Sequence, residues 1–451
     1  MFDIQQHLAT ILPTGLVGSI VRTEGQAAAV AGFPAPVGAL VEIQRQCGKP
    51  VEAEVIGFRD ALTIVYPLGE MSGVRHGNRV RLVRTSRTLR IGTELLGRVI
   101  DARGNFLDGK PAPLLTDRVR LDRKPPPAME RPRIDRPLST GVRAIDGLLT
   151  CGLGQRIGVF SAAGVGKSVT LGMMARYTSA DVNVIGLIGE RGREVNEFMQ
   201  RDLGEQGLAR SVVVVATSDE PALTRVQAAQ TATSVAEYYR DRGKNVLLIL
   251  DSLTRFALAQ REIGLAAGEP PTTRGYPPSV FALLPRLVER AGRSAKGSIT
   301  AFYSVLVEGD DTNEPVSDAV RGLLDGHVIL SRKLASQAHY PAIDVLESIS
   351  RLFQDVSSPD QRTAAQTIRE LMSAYRENED LISIGAYRNG ANPTVDAALA
   401  MRDEINKFLR QGVTDGSSVE SARKELLQLA QRCLIARKPA AVPAAVIPAK
   451  R

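Results

Sequence analysis

Short β-like runs of mixed apolar and polar residues fall at 16–22, 39–43, 51–57, 62–66 and 79–83, with Gly-, Pro- or Asn-containing turns between them. Where apolar positions recur with a period of two, as in 51–57, a run has one face to bury. Such a series predicts a small antiparallel barrel or, alternatively, a sheet edge on a larger domain. The stretch 118–137, with Lys124-Pro125-Pro126-Pro127 inside it, reads as a connector. Between about Leu138 and Leu330 the pattern changes. Unbroken apolar runs at 157–160, 182–188, 211–216, 246–250, 299–304 and 327–330 alternate with helix-like stretches. Strands with no polar face are buried on both sides, so this part predicts a mostly parallel sheet flanked by helices. From Gln361 onward, apolar residues recur at three- and four-residue spacing over 367–375, 394–410 and 419–435, which predicts helices. Ser417 and Glu420 have capping-box spacing ahead of the last one. The Ala- and Pro-rich tail 438–451 is expected to be disordered.

The run 157–160 leads into Gly164-Val165-Gly166-Lys167-Ser168. A glycine turn after a buried strand aims several backbone N–H groups at one point, and the dipole of the following helix adds positive potential there. Lys167 is placed to reach β- and γ-phosphate oxygens, and Ser168 to ligate Mg²⁺. Ala163, Gly164, Val165, Gly166, Lys167, Ser168 and Val169 are therefore the candidate nucleoside triphosphate site. The strict pattern has glycine six positions before the lysine. Ser161 stands there instead, small enough for the turn.

Two strand ends carry acids. The run 246–250 ends in Asp251-Ser252. An aspartate at the carboxyl end of a central parallel strand can hold Mg²⁺ opposite Ser168, or it can cap a helix starting near Leu253. The run 184–188 ends in Gly189-Glu190-Arg191-Gly192-Arg193-Glu194. Glu190 there can polarise an attacking water, with the arginines adding charge near the phosphates or holding it in place. The alternative is a charged surface loop.

At 451 residues the chain exceeds a single core, and two to four domains are expected. Hydrophobic content of 43% and charged content of 24% fit a soluble globular protein. Tryptophan is absent and aromatics are only 4%, which argues against a base-stacking nucleic-acid surface. The net charge of +8 is partly local, since six arginines and no acid lie between Arg75 and Arg90. That stretch reads as a solvated strand face or an interface with an acidic partner, with nucleic acid or acidic lipid as the sharper alternative. Cys47, Cys151 and Cys433 have neither disulfide-framework nor metal spacing, which fits a reducing compartment. Residues 1–13 lack a basic segment followed by an apolar core, and no run approaches a membrane span. A cytosolic location follows, with membrane contact only through partners.

Several segments occur together and in order: 161–168, 189–195, 248–255, 272–281 (TTRGYPPSVF) and 340–351 (YPAIDVLESISR), along with LGRVID at 96–101 and RPLSTG at 136–141. Over nearly the whole chain they resemble the type III secretion ATPases, specifically the flagellar protein-export ATPase and its virulence-secretion relatives. That family is itself similar to the catalytic subunit of rotary ATP synthases. The resemblance implies an α/β, RecA-like P-loop NTPase core with an N-terminal β-barrel and a C-terminal helical domain. The expected domains are 1–84, 85–350 (with 118–137 as connector) and 351–437, followed by the tail.

The resemblance also implies Mg²⁺-dependent ATP hydrolysis by a homohexamer with sites between subunits, at the cytoplasmic face of an inner-membrane secretion apparatus. Lys167 and Ser168 match the phosphate and Mg²⁺ positions, Glu190 the glutamate that activates the lytic water, and Arg191 its charged neighbour. Asp251 matches the strand-end aspartate, Tyr340 the aromatic that stacks on adenine, and Arg351 the finger inserted by the neighbouring subunit. For Arg351 the alternative is an internal ion-pair partner. Implied partners are stalk and regulatory proteins, exported substrates and chaperones, and no nucleic acid. Flagellar members often have a longer N-terminal extension that binds a regulatory subunit, whereas only 1–13 precedes the first strand here; a short amphipathic helix over 1–12 is still compatible with the sequence. The loop 268–281 is expected either to project toward a ring centre or to serve as a rigid connection. The rival readings are a rotary synthase catalytic-type subunit, a hexameric RNA-translocating ATPase, and a subunit that holds nucleotide without turnover.

Overall fold

Strands β1 (Val17–Glu24), β2 (Ala27–Ala31), β3 (Leu40–Ile43), β4 (Val51–Arg59), β5 (Leu62–Pro67) and β6 (Arg79–Arg84) close into an antiparallel barrel in the order β1-β2-β5-β4-β3-β6. This computed structural model describes residues 15–307 and 314–437, so the expectations for 1–13 and 438–451 lie outside the described residues. Buried and partly exposed positions alternate along β3 and through the first part of β4, as a one-sided strand requires. Ile20, Val30, Phe33, Val41, Val55 and Val80 fill the interior. Barrel closure decides between the barrel and the sheet-edge readings. Strand β2 has no sequence signal, because AAAVA is poor in β-branched residues. Its first four residues are fully buried against β1 and β5, and that packing overrides propensity.

The chain divides into two compact units. The described residues of the first fall within Met1–Ile134, Leu153–Ala163 and Ala180–His327. Those of the second fall within Asp135–Gly152, Gly164–Ser179 and Val328–Arg451.

In the first unit, β7 (Thr88–Ile91) is followed by β8 (Arg98–Asp101) and β9 (Asp117–Arg120), and β7 pairs antiparallel with β9. Part of the stretch read as connector is therefore strand. Its hold is long-range: the buried Leu121 donates its N–H to the Arg87 carbonyl at 3.2 Å. Strands β10 (Pro137–Leu138) and β11 (Cys151–Gly152) pair within the second unit. The main sheet of the first unit contains β12 (Arg156–Ser161), β13 (Val182–Glu190), β14 (Ser211–Thr217), β15 (Asn245–Asp251), the short β16 (Gly292–Arg293) and β17 (Ser298–Leu306). Parallel pairing runs β12-β17-β15-β13-β14-β8, with β16 antiparallel on β17. Every residue of β13 before Glu190 is buried, which is why the sequence there shows no alternation. Helices Ala222–Arg240 and Leu253–Ala266 pack on this sheet. Edge strand β8 was not anticipated.

Strands β18 (Gly326–Leu330), of which residues from Val328 fall in the second unit, and β19 (Ile343–Ser350) are hydrogen-bonded neighbours. Helices Pro359–Ser383, Pro393–Leu409 and Val419–Arg437 pack on one another and on the short helix Arg143–Leu148. Their buried residues recur at helical spacing, as in Val395, Ala398, Met401, Ile405 and Phe408. The last helix is capped one residue later than its spacing suggested. The Ser418 hydroxyl accepts the Ser421 N–H at 3.2 Å, and the Ser417 hydroxyl turns instead to the Ser418 carbonyl. Gln361 ties the bundle to the short helix, donating its amide to the Asp146 and Gly147 carbonyls and to the Thr150 hydroxyl at 2.9–3.2 Å. Among the described residues no helix is long and apolar enough to cross a membrane.

Candidate active site

The chain leaves β12 at Ser161 and enters helix Lys167–Tyr177 through five residues. Ala163 and Gly164 are exposed, Val165 is buried, and Lys167, Ser168 and Val169 are half-buried. Gly166 sits at the N-cap with φ of 88°, a left-handed conformation that costs an L-residue with a side chain about 1–2 kcal/mol. Because glycine has no hydroxyl or carboxyl, the cap makes no side-chain hydrogen bond, and the first turn holds no acid. The helix N-terminus thus keeps its N–H donors and positive end for a ligand, with Lys167 beside them. The Gly166 carbonyl closes the turn by accepting both the N–H and the hydroxyl of Thr170, each at 3.0 Å.

Tyr340 lies in the same unit. A Cβ added to Gly166 would stand 3.5 Å from two of its ring carbons, so the ring lies against the phosphate loop. At 46% exposure one part of it remains open for stacking. Gln411 donates its N–H to the Tyr340 carbonyl at 3.0 Å and anchors the backbone. Arg351, just after β19, is exposed and makes no hydrogen bond or ion pair among the described residues, so the internal ion-pair alternative finds no partner.

The first unit brings the two acids to neighbouring strands. In the β13–β15 register Asp251 faces Leu187, so Glu190 lies three residues further along at the same carboxyl edge. This edge is where open parallel sheets bind ligands. Asp251 is 3% exposed and accepts a hydrogen bond from the Ser304 hydroxyl of β17. The capping role belongs to its neighbour: the Ser252 hydroxyl accepts the Arg255 N–H at 3.3 Å. Glu190 follows a bulge, for the β13–β14 register shifts between Ile188 and Glu190, with Gly189 at φ of 70°. An extra residue at a strand end re-aims the side chain after it. The rest of the segment fits the surface-loop reading: Arg191 is 77% exposed and 3.8 Å from Glu194, and Arg193 pairs with Glu197 at 3.2 Å.

Two residues escaped the sequence reading. Arg255 packs on Gly189, where a Cβ would come within 3.0 Å of its own, and its buried Nε has no hydrogen-bond partner among the described residues. Ser304 holds Asp251. Arg255 lay inside a motif segment and could have been flagged as a buried-helix arginine, but Ser304 carries no local signal. The loop 268–281 is internally bonded. Thr272 donates its N–H and hydroxyl to the Tyr276 carbonyl, and buried Tyr276 reaches Glu314 at 3.3 Å; 270–274 form the longest exposed run of the loop.

Hydroxyl and carboxylate oxygens are the donor types Mg²⁺ prefers, and Ser168 and Asp251 supply one of each. Among the described residues no group of three or more His, Cys, Asp or Glu side chains could hold a metal by itself. Each of the two side chains, one in either unit, is by its chemistry a ligand type suited to an ion that arrives with a phosphate.

Comparison with known proteins bears on the family. Residues 141–350 match the ATP synthase alpha/beta family, nucleotide-binding domain, and residues 357–428 match the T3SS EscN ATPase C-terminal domain. The flagellum-specific ATP synthase of Bacillus subtilis is 49% identical over 414 residues, covering 92% of this chain and 93% of the relative. The type 3 secretion system ATPase of Xanthomonas euvesicatoria is 49% identical over 419 residues, covering 93% and 95%. The assembled ATPase EscN of the enteropathogenic E. coli type III secretion system superposes with a TM-score of 0.87 at 45% identity, over 92% of this chain and 100% of that one. EscN in complex with its central stalk EscO superposes with a TM-score of 0.85 at 44% identity, again over 92% and 100%.

Proposed function

Because the chain belongs to the ATP synthase alpha/beta family, among the flagellum-specific ATP synthases and type III secretion system ATPases, we propose the following assignment of roles to its residues in ATP hydrolysis. The enzyme is an ATPase that energises protein export through a flagellar or related type III apparatus. The observation that carries the reading is the Gly166 cap: a helix N-terminus with no side-chain cap, set against the open ring of Tyr340. A triphosphate lies on the first, with the N–H groups of 164–168 and Lys167 on its β- and γ-oxygens. Adenine lies on the second. Ser168 and Asp251 would hold Mg²⁺, which would supply positive charge to offset that of the phosphates.

Glu190 accepts a hydrogen bond from the attacking water and sets its line to the γ-phosphorus. Arg191 and Arg255 bring positive charge to the acidic strand end. Arg351 reaches the site of the adjoining protomer in a homohexamer, and its exposed guanidinium, without an internal partner, supports that role. An arginine finger of this kind is worth roughly 10³–10⁵ in turnover. EscN binds a central stalk, and a stalk protein is the corresponding partner proposed here, alongside regulatory proteins, chaperones and exported chains. The site of action is the cytoplasmic face of the inner-membrane apparatus.

The test is Glu190→Gln. Phosphate release should fall at least a hundredfold, while fluorescent-nucleotide affinity stays within about twofold of the parent. Undiminished turnover removes Glu190 from the mechanism.

A further inference from the structure

Behind the Tyr340 pocket lies a second cavity with no part in the hydrolysis just described. Its volume is about 410 Å³, within the range that holds a small organic molecule. Four segments of the second unit enclose it: the short helix Arg332–Ser336, β19, and helices Pro359–Ser383 and Pro393–Leu409. Leu334, Leu346, Leu371, Met372 and Ile405 make much of the wall apolar.

The polar groups of the wall fall into two sets. Some satisfy each other. Arg376 makes two 2.7 Å hydrogen bonds to Asp344 and a third, at 3.1 Å, to Glu347, and Lys333 pairs with Glu379. The others do not. His339 is 3% exposed, and its Nε2 is buried with no hydrogen-bond partner among the described residues. Burial, with Arg410 nearby, pushes its imidazole below the usual histidine range and keeps it neutral. Arg402 has its guanidinium 4.5 Å over the Tyr375 ring, and neither it nor Arg410 pairs with a carboxylate among the described residues.

We propose that this cavity is a binding site for a small amphipathic anion: an apolar ring body seated among the leucines, and a carboxylate or sulfonate facing Arg402 and Arg410. The site has a route to the nucleotide. Arg402, Asn406 and Arg410 also line the cavity of about 720 Å³ that contains Tyr340, and His339 is the residue preceding Tyr340. Occupancy shifts those shared residues and so changes adenine affinity. This coupling rests on the adenine-stacking role of Tyr340; the binding site itself does not.

The experiment titrates the full-length chain with 1-anilinonaphthalene-8-sulfonate, an apolar aromatic sulfonate, by fluorescence and calorimetry. Ala398→Phe fills the cavity and Arg402→Glu reverses the charge at its rim. Each should weaken dye binding about tenfold or more, equivalent to 1.4 kcal/mol. Leu381→Ser, at an exposed apolar position outside the cavity, should leave binding unchanged. Melting curves establish that each variant is folded, and Arg402→Glu, at an exposed position, keeps the test decisive if Ala398→Phe does not fold. Dye affinity equal to the parent in both cavity variants overturns the site. ATP affinity is measured with and without saturating dye. A shift of threefold or more supports the coupling, and no shift overturns it. A chain that binds dye in this pattern but takes up no ATP refutes the nucleotide reading while upholding the cavity.

Discussion

Gly189→Ala isolates the device that aims Glu190. The residue has φ of 70°, where an L-side chain costs about 1–2 kcal/mol. The added methyl would also meet the Arg255 Cβ at 3.0 Å, with Cγ and Cδ at 3.3 and 3.5 Å. Ordinary contact needs a few tenths of an ångström more, so either the bulge or the arginine shifts. A 1 Å misplacement at a reacting centre can cost about a hundredfold, and a fraction of that predicts a loss of about tenfold in kcat. The backbone strain lowers the melting temperature by about 1–3 °C. Nucleotide affinity should remain within about twofold, because the phosphate loop and Tyr340 belong to other segments. Steady-state phosphate release, fluorescent-nucleotide titration and a thermal melt read the three quantities. A variant with the expected drop in melting temperature but the parent's kcat would refute the claim that this bulge positions the glutamate.

Arg351→Ala should lose at least a thousandfold in turnover yet bind nucleotide normally; mixing it with inactive Lys167→Ala subunits should restore part of the activity if the arginine acts across protomers, and no recovery counts against a shared site. Asp108, held by two Arg98 hydrogen bonds at 2.6 and 2.8 Å, has its carboxyl lowered to about 2. The stabilisation is complete above the unfolded value near 4 and fades as pH falls toward 2. Asp108→Asn should therefore be about 1–2 kcal/mol less stable at pH 7, with the gap narrowing on acidification through pH 4 in denaturant titrations. Glu237, 1% exposed, meets Arg290 at 3.0 and 2.8 Å, so Glu237→Gln leaves a buried guanidinium under-compensated and should cost about 3–5 kcal/mol, read as a drop in melting temperature of several degrees.

Much of this protein was legible from contiguous residues. Alternation in 51–57 and the β-forming run 62–66 are properties of single strands, and they marked two walls of the barrel. The unbroken run 182–188 marked a strand covered on both faces, and the glycine, lysine and serine spacing after 157–160 marked a strand–turn–helix cradle. Each of these rests on neighbours along the chain, where periodicity and φ preference act directly. AAAVA at β2 could not be read this way, because its strand conformation comes from two partner strands and not from its own side chains.

Tertiary structure alone decided the rest, and the reason is distance along the chain. Both Asp251 and Ser252 are good caps by type; the hydroxyl of Ser304, 53 residues on, engages Asp251 while Ser252 takes the helix. The ring of Tyr340 meets Gly166, and Arg255 meets Gly189, across sequence separations that no local pattern encodes. His339 looks in the sequence like any loop histidine, and only the packing of four separate segments around it leaves its nitrogen buried beside an open cavity. Local spacing thus determined which backbone pieces form, whereas side-chain partnership, which depends on contacts closed by folding, was settled in three dimensions.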